Sequence, residues 1–450
     1  ASGIRAGRER PARVPGETGA IGGEELLRAS WRPQVTEAFP ARVELSRRPA
    51  GGIGRWNGKG LRMLPLTGLK IVELGHYIAA PFCTRLLADL GAEVIKVEPP
   101  EGDPFRGWGA QHNGHSVWFS VHGRNKLSVT LDLKSEEGKR RVKALARRAD
   151  AVVENFRPGY LERIGLGPAV LQAENPGLII ARISGYGQDG PYRDKPAFGA
   201  IGEAMGGLRH LTANPGQSEY PPPRCGVSIS DDLAGMYAAL ALVSACWGRE
   251  RGNNRGRVID LDLVSSVFSL MEGMLPEYGL FGWVRQPAGA AIPTAAPTNT
   301  YPCADGKWLC VAGNSDLIFR RLMGVIGRMD LADDPRMATN GGRCAHAAEL
   351  DAAIAAWTRT LPAKDAEAAL EAAEVPCSRL YDIADCANDP HFRARGLVQR
   401  VADPLLGEVL HPAPPFRLDG VAPADMIRWP GRAAGADNDH VFHELLGEPR

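Results

Sequence analysis

Asp231 is the residue whose type and placement best suit chemistry. It stands with Asp232 in the stretch GVSISDD, immediately before the apolar run Leu233–Trp247. A carboxylate at the head of a helix has two readings. As an N-cap it contributes about 0.5–2 kcal/mol of stability. As a functional group it is kept ionised by the positive helix end and aimed into a cleft. A carboxylate is a weak nucleophile, yet held ~3–3.5 Å from a carbonyl it gains an effective molarity worth ~7–11 kcal/mol. Lys134, Arg157, Arg163 and Lys195 follow predicted strand ends, where an anionic ligand such as a phosphate is received, and each also reads as a solvated surface charge. Arg209, His210 and Arg224 flank the same region and suit a second carboxylate as well as they suit a mobile surface.

Other chemistries find no motif. His112, His115 and His122 share one segment but lack Cys or carboxylate partners placed to converge, so no metal site is expected. A serine hydrolase elbow needs GxSxG; ISGYG lacks the first glycine and GVSIS the last. Neither the dinucleotide nor the P-loop glycine pattern falls in a strand-to-helix turn.

The elements that must position Asp231 start with the stretch Gly68–Glu98, GLKIVELGHYIAAPFCTRLLADLGAEVIKVE. Lys70–Leu74 reads as a buried strand. Pro81 suits a helix's first turn. Phe82, Cys83, Leu86, Leu87 and Leu90 recur at helical spacing, Gly91 fits a helix end, and Val94–Val97 returns as a strand. The turn Gly75–Ala80 then lies at the carboxyl end of a parallel strand, where open α/β sheets bind ligands. Further strands are expected at Leu127–Leu133, Ala151–Glu154, Leu178–Ser184 and Val258–Leu263. Helices are expected from Ser135 to about Ala149, near Pro168–Glu174, over Phe198–Leu208 and over Val264–Phe281. Alternating strands and helices predict an α/β fold with a doubly wound, mostly parallel sheet.

The chain has 450 residues, 44% of them hydrophobic, with a net charge of +1, which gives no polyanion-binding field and argues against nucleic acid. No apolar run approaches the ~20 residues of a membrane helix. Eight cysteines without a CxxC pair, mostly among apolar neighbours, predict reduced thiols and a cytoplasmic enzyme. Residues 1–62 are rich in Gly, Pro and Arg and read as a disordered or non-native leader, with Met63 a candidate start. The large domain is expected over 63–281, a Gly/Ala/Pro linker over 282–300, a smaller α+β domain over 301–400 and a tail over 401–450.

Taken together, GLKIVELGHYIAAP, LLADLGAEVIKVEPPEGDPFR, GRNKLSVTLDLK, VVENFRPGYLERIGLG, LIIARISGYGQDGPY, EAMGGLRHLT and GVSISDDLAGMYAALA resemble the family III CoA-transferases, the CaiB/BaiF group that includes formyl-CoA transferase, carnitine CoA-transferase and α-methylacyl-CoA racemase. The likeness runs from about Leu66 to the C-terminus, and VPCSRLYDIADCANDPHFRARGLV is similar to the family's return from small to large domain. The resemblance implies a Rossmann-like large domain, a small domain between its parts, and two copies threaded into an interlocked homodimer. It implies transfer of CoA from an acyl-CoA to a free carboxylic acid through an aspartyl anhydride and an aspartyl-CoA, with no permanently bound cofactor. On this chain the nucleophile falls on Asp231. CoA contacts fall on Ile78, Ala79, Leu131, Asp132, Leu133, Lys134, Asn155, Phe156, Arg157, Arg163, Lys195, Pro196, Ala197 and Phe198.

Several positions depart from the family's patterns. Formyl-CoA transferase has a glutamine where Ile78 stands and a basic residue where Pro99 stands, which leaves Arg106 or Arg163 to hold the nucleotide phosphates. Its tetra-glycine lid is not visible in Gly282–Thr300. The racemase branch has an essential aspartate where Gly199 stands, with Glu203 as the substitute acid four residues on. An acyl-CoA racemase or epimerase, and a CoA-binding protein with altered chemistry, are the alternatives to a transferase.

Overall fold

The computed structural model describes residues 64–217, 219–252 and 254–449. The expectations for residues 1–62 lie outside them. Six parallel strands form the central sheet: β1 (Lys70–Glu73), β2 (Glu93–Glu98), β5 (Lys126–Thr130), β6 (Ala151–Glu154), β7 (Ile179–Ser184) and β8 (Val258–Asp262), in the order β5-β2-β1-β6-β7-β8. A short hairpin of β3 (Gln111–His112) and β4 (His115–Ser116) sits in the connection between β2 and β5. Strand β1 pairs with β2 on one side, Ile71 against Val94, and with β6 on the other, Ile71 against Ala151. The chain thus winds outward in both directions from β1, the doubly wound order in which the crevice between the first and fourth sheet strands receives ligands.

Strand alternation builds two cores. Ile71, Ala151, Val153, Ile179, Ala181 and Ile183 face one side, where helix α1 (Ala79–Asp89) covers them with Cys83 and Leu87. Val72, Val152 and Ile180 face the other, under helix α2 (Glu136–Arg148) with Val142, Leu145 and Ala146. Helix α2 starts as its sequence predicts: the Ser135 hydroxyl accepts from the Gly138 N–H, with Glu136 and Glu137 in the first turn. Val441 and Phe442 join the second core, which brings the end of the chain back to the sheet.

After β7 the chain forms α3 (Gly199–Met205) and α4 (Ile229–Arg251). At 23 residues α4 is long and apolar enough, by length and composition alone, to cross a membrane, which the shorter run Leu233–Trp247 does not suggest. Here Ala234, Ala238 and Leu242 bury one face against α1 and the sheet, while Met236, Leu240 and Trp247 are exposed on another. The single helix expected over Val264–Phe281 is two, α5 (Leu263–Phe268) and α6 (Met274–Phe281). Glu272 between them has φ +43°, a left-handed backbone that no helix continues through.

Beyond residue 297, β9 (Thr298–Pro302), β10 (Trp308–Ala312) and β11 (Cys377–Arg379) form an antiparallel sheet with β10 central. Helices α7 (Asp316–Val325), α8 (Ala347–Thr358) and α9 (Ala363–Ala372) complete a core of Leu309, Val311, Phe319, Leu322, Leu350, Ile354 and Leu370. Of the eight cysteines, all unpaired, Cys83, Cys246 and Cys303 are buried and five are half-buried, fewer inside than their neighbours suggested.

Candidate active site

Leaving β1, the chain makes a turn that only certain residues permit. A side chain at Gly75 would put its Cβ 2.4 Å from Ala80 Cβ and 2.7 Å from Asn155 Oδ1. Asn155, just past β6, clamps the next residue from both sides: it accepts from the His76 N–H and donates to the His76 carbonyl, each at 2.8 Å. Tyr77 follows with φ +61°, a conformation a large side chain adopts only where its surroundings enforce it. Asp103 supplies that enforcement by accepting from the Tyr77 N–H at 3.2 Å, and the Tyr77 ring packs on Trp108. Helix α1 then begins; Phe82 N–H is bonded to the Ile78 carbonyl, so the amides of Ala79 and Ala80 precede the helical ladder and have no acceptor within it.

Beneath this turn lies an ion network that sequence reasoning missed. Glu73, fully buried, receives Lys96 Nζ at 2.6 Å, Lys126 Nζ at 2.8 Å and the Thr84 hydroxyl. Lys96 also donates to Asp103 Oδ2 at 2.6 Å and to the Gly75 carbonyl, and Lys126 to the Pro81 carbonyl. The two ammoniums therefore tie one carboxylate to both ends of the turn. Burial alone would raise the Glu73 pKa, but Lys126 and Lys96 overcome it and hold it at about 2. Burial would lower Lys96, yet Glu73, Asp103 and Glu98 keep it raised; at Lys126 burial outweighs the support of Glu73, and Lys96 adds to the fall, to about 8. The signal was present in the sequence: charged residues at inward positions of KIVE, EVIKVE and KLSVT need buried partners.

Asp231 sits differently from the N-cap its sequence suggests. Ser228 holds the cap position without a side-chain bond, and Asp231 lies inside the first turn of α4. Gly235, one turn on, packs its Cα face against the start of α1, where a Cβ would lie 2.8 Å from the Ala79 carbonyl oxygen. On another side, a Cβ at Gly199 would come within 2.1 Å of Asp231 Oδ2, and one at Gly202 within 2.1 Å of Ser230 Oγ. Glycines therefore let α1 and α3 close on the first turns of α4. Burial, followed by the Asp232 charge, raises Asp231 to about 7 against the pull of Arg224. Asp232 rises to about 6 by burial, opposed by Arg85. The result is a basic, desolvated carboxylate one turn before Gly235, the residue that packs against the start of α1. Such a carboxylate suits attack on a thioester carbonyl.

The structure brings Ile78 and Ala79, both buried, together with Asn155 and Phe156 at the crevice between β1 and β6. Asn155 is occupied with the turn, and Phe156 packs between His76 and Tyr160. Leu131 and Leu133 follow β5; Asp132 is exposed and its carboxylate accepts from the Lys134 N–H. Lys134, Arg157 and Arg163 are exposed, and their side chains form no hydrogen bond or ion pair among the described residues. Lys195 lies over the Tyr192 ring, Pro196 is exposed, Ala197 abuts Gly185, and Phe198, 72% exposed, leads into Gly199. Arg106 is not available for phosphates: it is forked onto Glu98, bonded to the Arg432 carbonyl and stacked on Phe119. His112 and His115 pair across the exposed hairpin, whereas His122 is enclosed by Phe82 and Phe105 and pushed well down by burial.

The sequence model of CoA-transferase family III matches residues 66–438. The succinyl-CoA–D-citramalate CoA-transferase of Chloroflexus aurantiacus is 47% identical over 385 residues, which cover 85% of this chain and 94% of that protein. The alpha subunit of the succinyl-CoA–L-malate CoA-transferase of the same organism is 34% identical over 407 residues, covering 90% and 88%. A crystal structure of a CaiB/BaiF family protein from Brucella suis matches with a TM-score of 0.75 at 33% identity, covering 85% of this chain and 100% of that one.

Proposed function

The chain belongs to CoA-transferase family III, and from that premise we propose that it moves CoA from a dicarboxylic acyl-CoA such as succinyl-CoA to a second dicarboxylic acid, through intermediates on Asp231. It is an acyl-CoA:carboxylate CoA-transferase; the substrate class and the path are the proposal. Asp231 attacks the thioester carbonyl, the C–S bond breaks, and CoA leaves as thiolate from a mixed anhydride. The thiolate then attacks the Asp231 carbonyl, releasing the first acid and leaving an aspartyl-CoA thioester. The acceptor carboxylate attacks that thioester and the steps run in reverse, so that Asp231 is regenerated. The amides of Ala79 and Ala80 receive the developing oxyanions. Lys134, Arg157, Arg163 and Lys195 offer charge-assisted bonds to the CoA phosphates, while Leu131–Leu133, Asn155, Phe156 and Pro196–Phe198 line its approach. No permanently bound cofactor enters this path.

The observation that carries the reading is the state of Asp231, raised to about 7 by burial and by Asp232. A carboxylate of that pKa is a stronger base than an ordinary aspartate and is still ionised in part at neutral pH. Gly199 counts against the isomerase alternative, because an acid there would have to occupy the space that Asp231 Oδ2 fills.

The same premise extends to assembly. We assign residues 63–281 and 401–450 to the large domain and 301–400 to the small one, and propose an interlocked homodimer acting in the cytoplasm. Exposed Leu240 and Trp247 on α4, and exposed Leu280, Phe281 and Trp283 at the end of α6, support a second copy covering apolar surface on these helices.

The test is to incubate the protein with succinyl-CoA, quench with hydroxylamine and map the product by mass spectrometry. A hydroxamate confined to the Asp231 peptide, and absent from Asp231→Asn, is the expected result. An unmodified Asp231 peptide during active transfer would refute the covalent path.

A further inference from the structure

Two arginines share one buried carboxylate one helical turn from the nucleophile. Glu203 is fully buried on α3. Its Oε2 accepts from Arg209 Nε and its Oε1 from Arg224 Nε, each at 3.2 Å. Glu203 lies four residues after Gly199, so the two share a face of α3 about 6 Å apart along its axis. Gly199 is the residue whose Cα abuts Asp231 Oδ2, and Gly202 abuts Ser230. Arg224 is near enough to Asp231 for its charge to act on it, and Glu203 ties Arg209 to the same point.

The charge count at this point is uneven. Two full positive charges meet one carboxylate, and each guanidinium is engaged through its Nε edge. The terminal nitrogens of Arg209 and Arg224 make no other bond among the described residues. Those nitrogens form the pair of parallel donors that fits a carboxylate bidentately. Arg224 is 49% exposed and Arg209 28%, so a small anion can reach them. The surplus is not absorbed by Asp231, which stays well above an ordinary aspartate despite Arg224.

We propose that Arg224, with Arg209 beside it, receives the distal carboxylate of the dicarboxylic substrate, and that Glu203 is the buried counter-ion that sets their positions. The inference rests on the dicarboxylate reading above and deepens it. In a transferase of this kind the donor acyl group and the acceptor acid occupy the same place on Asp231 in turn. One cationic anchor therefore selects both, and discrimination against monocarboxylates appears on the donor side and the acceptor side alike.

The experiment compares succinyl-CoA with butyryl-CoA as donors, and a four-carbon dicarboxylic acid with butyrate as acceptors, in the wild type, Arg224→Met and Arg224→Lys. The readout is the ratio of kcat/KM for each dicarboxylic substrate to that for its monocarboxylic counterpart. Removing one partner of a charge-paired contact should lower both ratios about 10²-fold in Arg224→Met, chiefly through KM, with partial recovery in Arg224→Lys. Any effect of Arg224 on Asp231 is common to both substrates and cancels in the ratio. If the wild type uses succinyl-CoA and Arg224→Met leaves the ratios unchanged, or lowers all substrates together, the anchor is refuted and the dicarboxylate reading stands. If the wild type transfers from butyryl-CoA and not from succinyl-CoA, both fall.

Discussion

Glu73 and Asp231 are both withdrawn from water, and they end in opposite states. Glu73 is held at about 2 by two lysines, and Asp231 is raised to about 7 beside a second carboxylate. Burial pushes both pKa values up, so the partners decide the outcome. Where cations and a hydroxyl complete the carboxylate, it becomes part of the frame, here the frame of the turn Gly75–Pro81. Where burial is joined by a like charge and only partly offset by one arginine, the carboxylate keeps its basicity and stays available for reaction. The two lie on either side of α1, one fixing the start of that helix and the other reached through Gly235 packed against it.

The most forceful way to test the contrast is to neutralise each carboxylate and measure stability. Glu73→Gln leaves two buried ammoniums short of their anion and should cost about 3–5 kcal/mol by denaturant unfolding at pH 7. The Glu73 pKa is depressed from its ordinary 4.5, so its contribution is complete above about 4.5 and is lost as pH falls toward about 2. The gap between wild type and variant should close over that range. Asp231→Asn should do the reverse. Its pKa is raised from 3.8, so the folded wild type loses stability as pH rises from about 4 to about 7. The variant should melt higher than wild type at pH 8 and close to it at pH 4. A lower melting point for Asp231→Asn at pH 8 would mean that Asp231 belongs to the frame after all.

Gly199→Ala sharpens the contrast at smaller scale. The added Cβ would fall 2.1 Å from Asp231 Oδ2, so the carboxylate must move. A displacement of about 1 Å at the reacting group costs on the order of 10²-fold in rate. Stability should change little, because the atom that must give way is the end of a side chain rather than backbone. A fall in kcat with an unchanged melting point is the expected pair of results. Activity at the wild-type level would show that Asp231 has room to relax without loss.

Much of the frame was legible in the sequence because it follows local rules. Ala151–Glu154 is a strand at the predicted bounds, and Ser135 caps its helix through the expected hydroxyl. The turn after β1 was placed at the sheet's ligand-binding edge from strand–helix–strand periodicity alone. What holds that turn was not legible. Glu73, Lys96 and Lys126 come from three strands, and only the order β5-β2-β1 brings them to one point. The Asp231 cap reading failed for a related reason: the apolar run begins at Leu233, but the helix begins at Ile229, and no local pattern marks polar residues that a neighbouring helix recruits into its first turn. Asn155 illustrates the converse, a residue set by the sequence just past the strand Ala151–Glu154, whose grip on the His76 backbone no local pattern marks.

The finest test separates the two causes that raise Asp231, burial first and the Asp232 charge second. Asp232→Asn keeps the shape and removes the charge, so the Asp231 pKa should fall below about 7 and remain above 3.8, because burial persists. The acid limb of kcat/KM for the transfer, which rises as Asp231 loses its proton, should move to lower pH by the part that Asp232 supplies. Its form should change as well. In the wild type two carboxyl groups, Asp231 near 7 and Asp232 near 6, titrate across the same limb; in Asp232→Asn only one remains. An unmoved limb would assign the whole elevation to burial, and the contrast with Glu73 would then rest on missing cations alone rather than on an added anion.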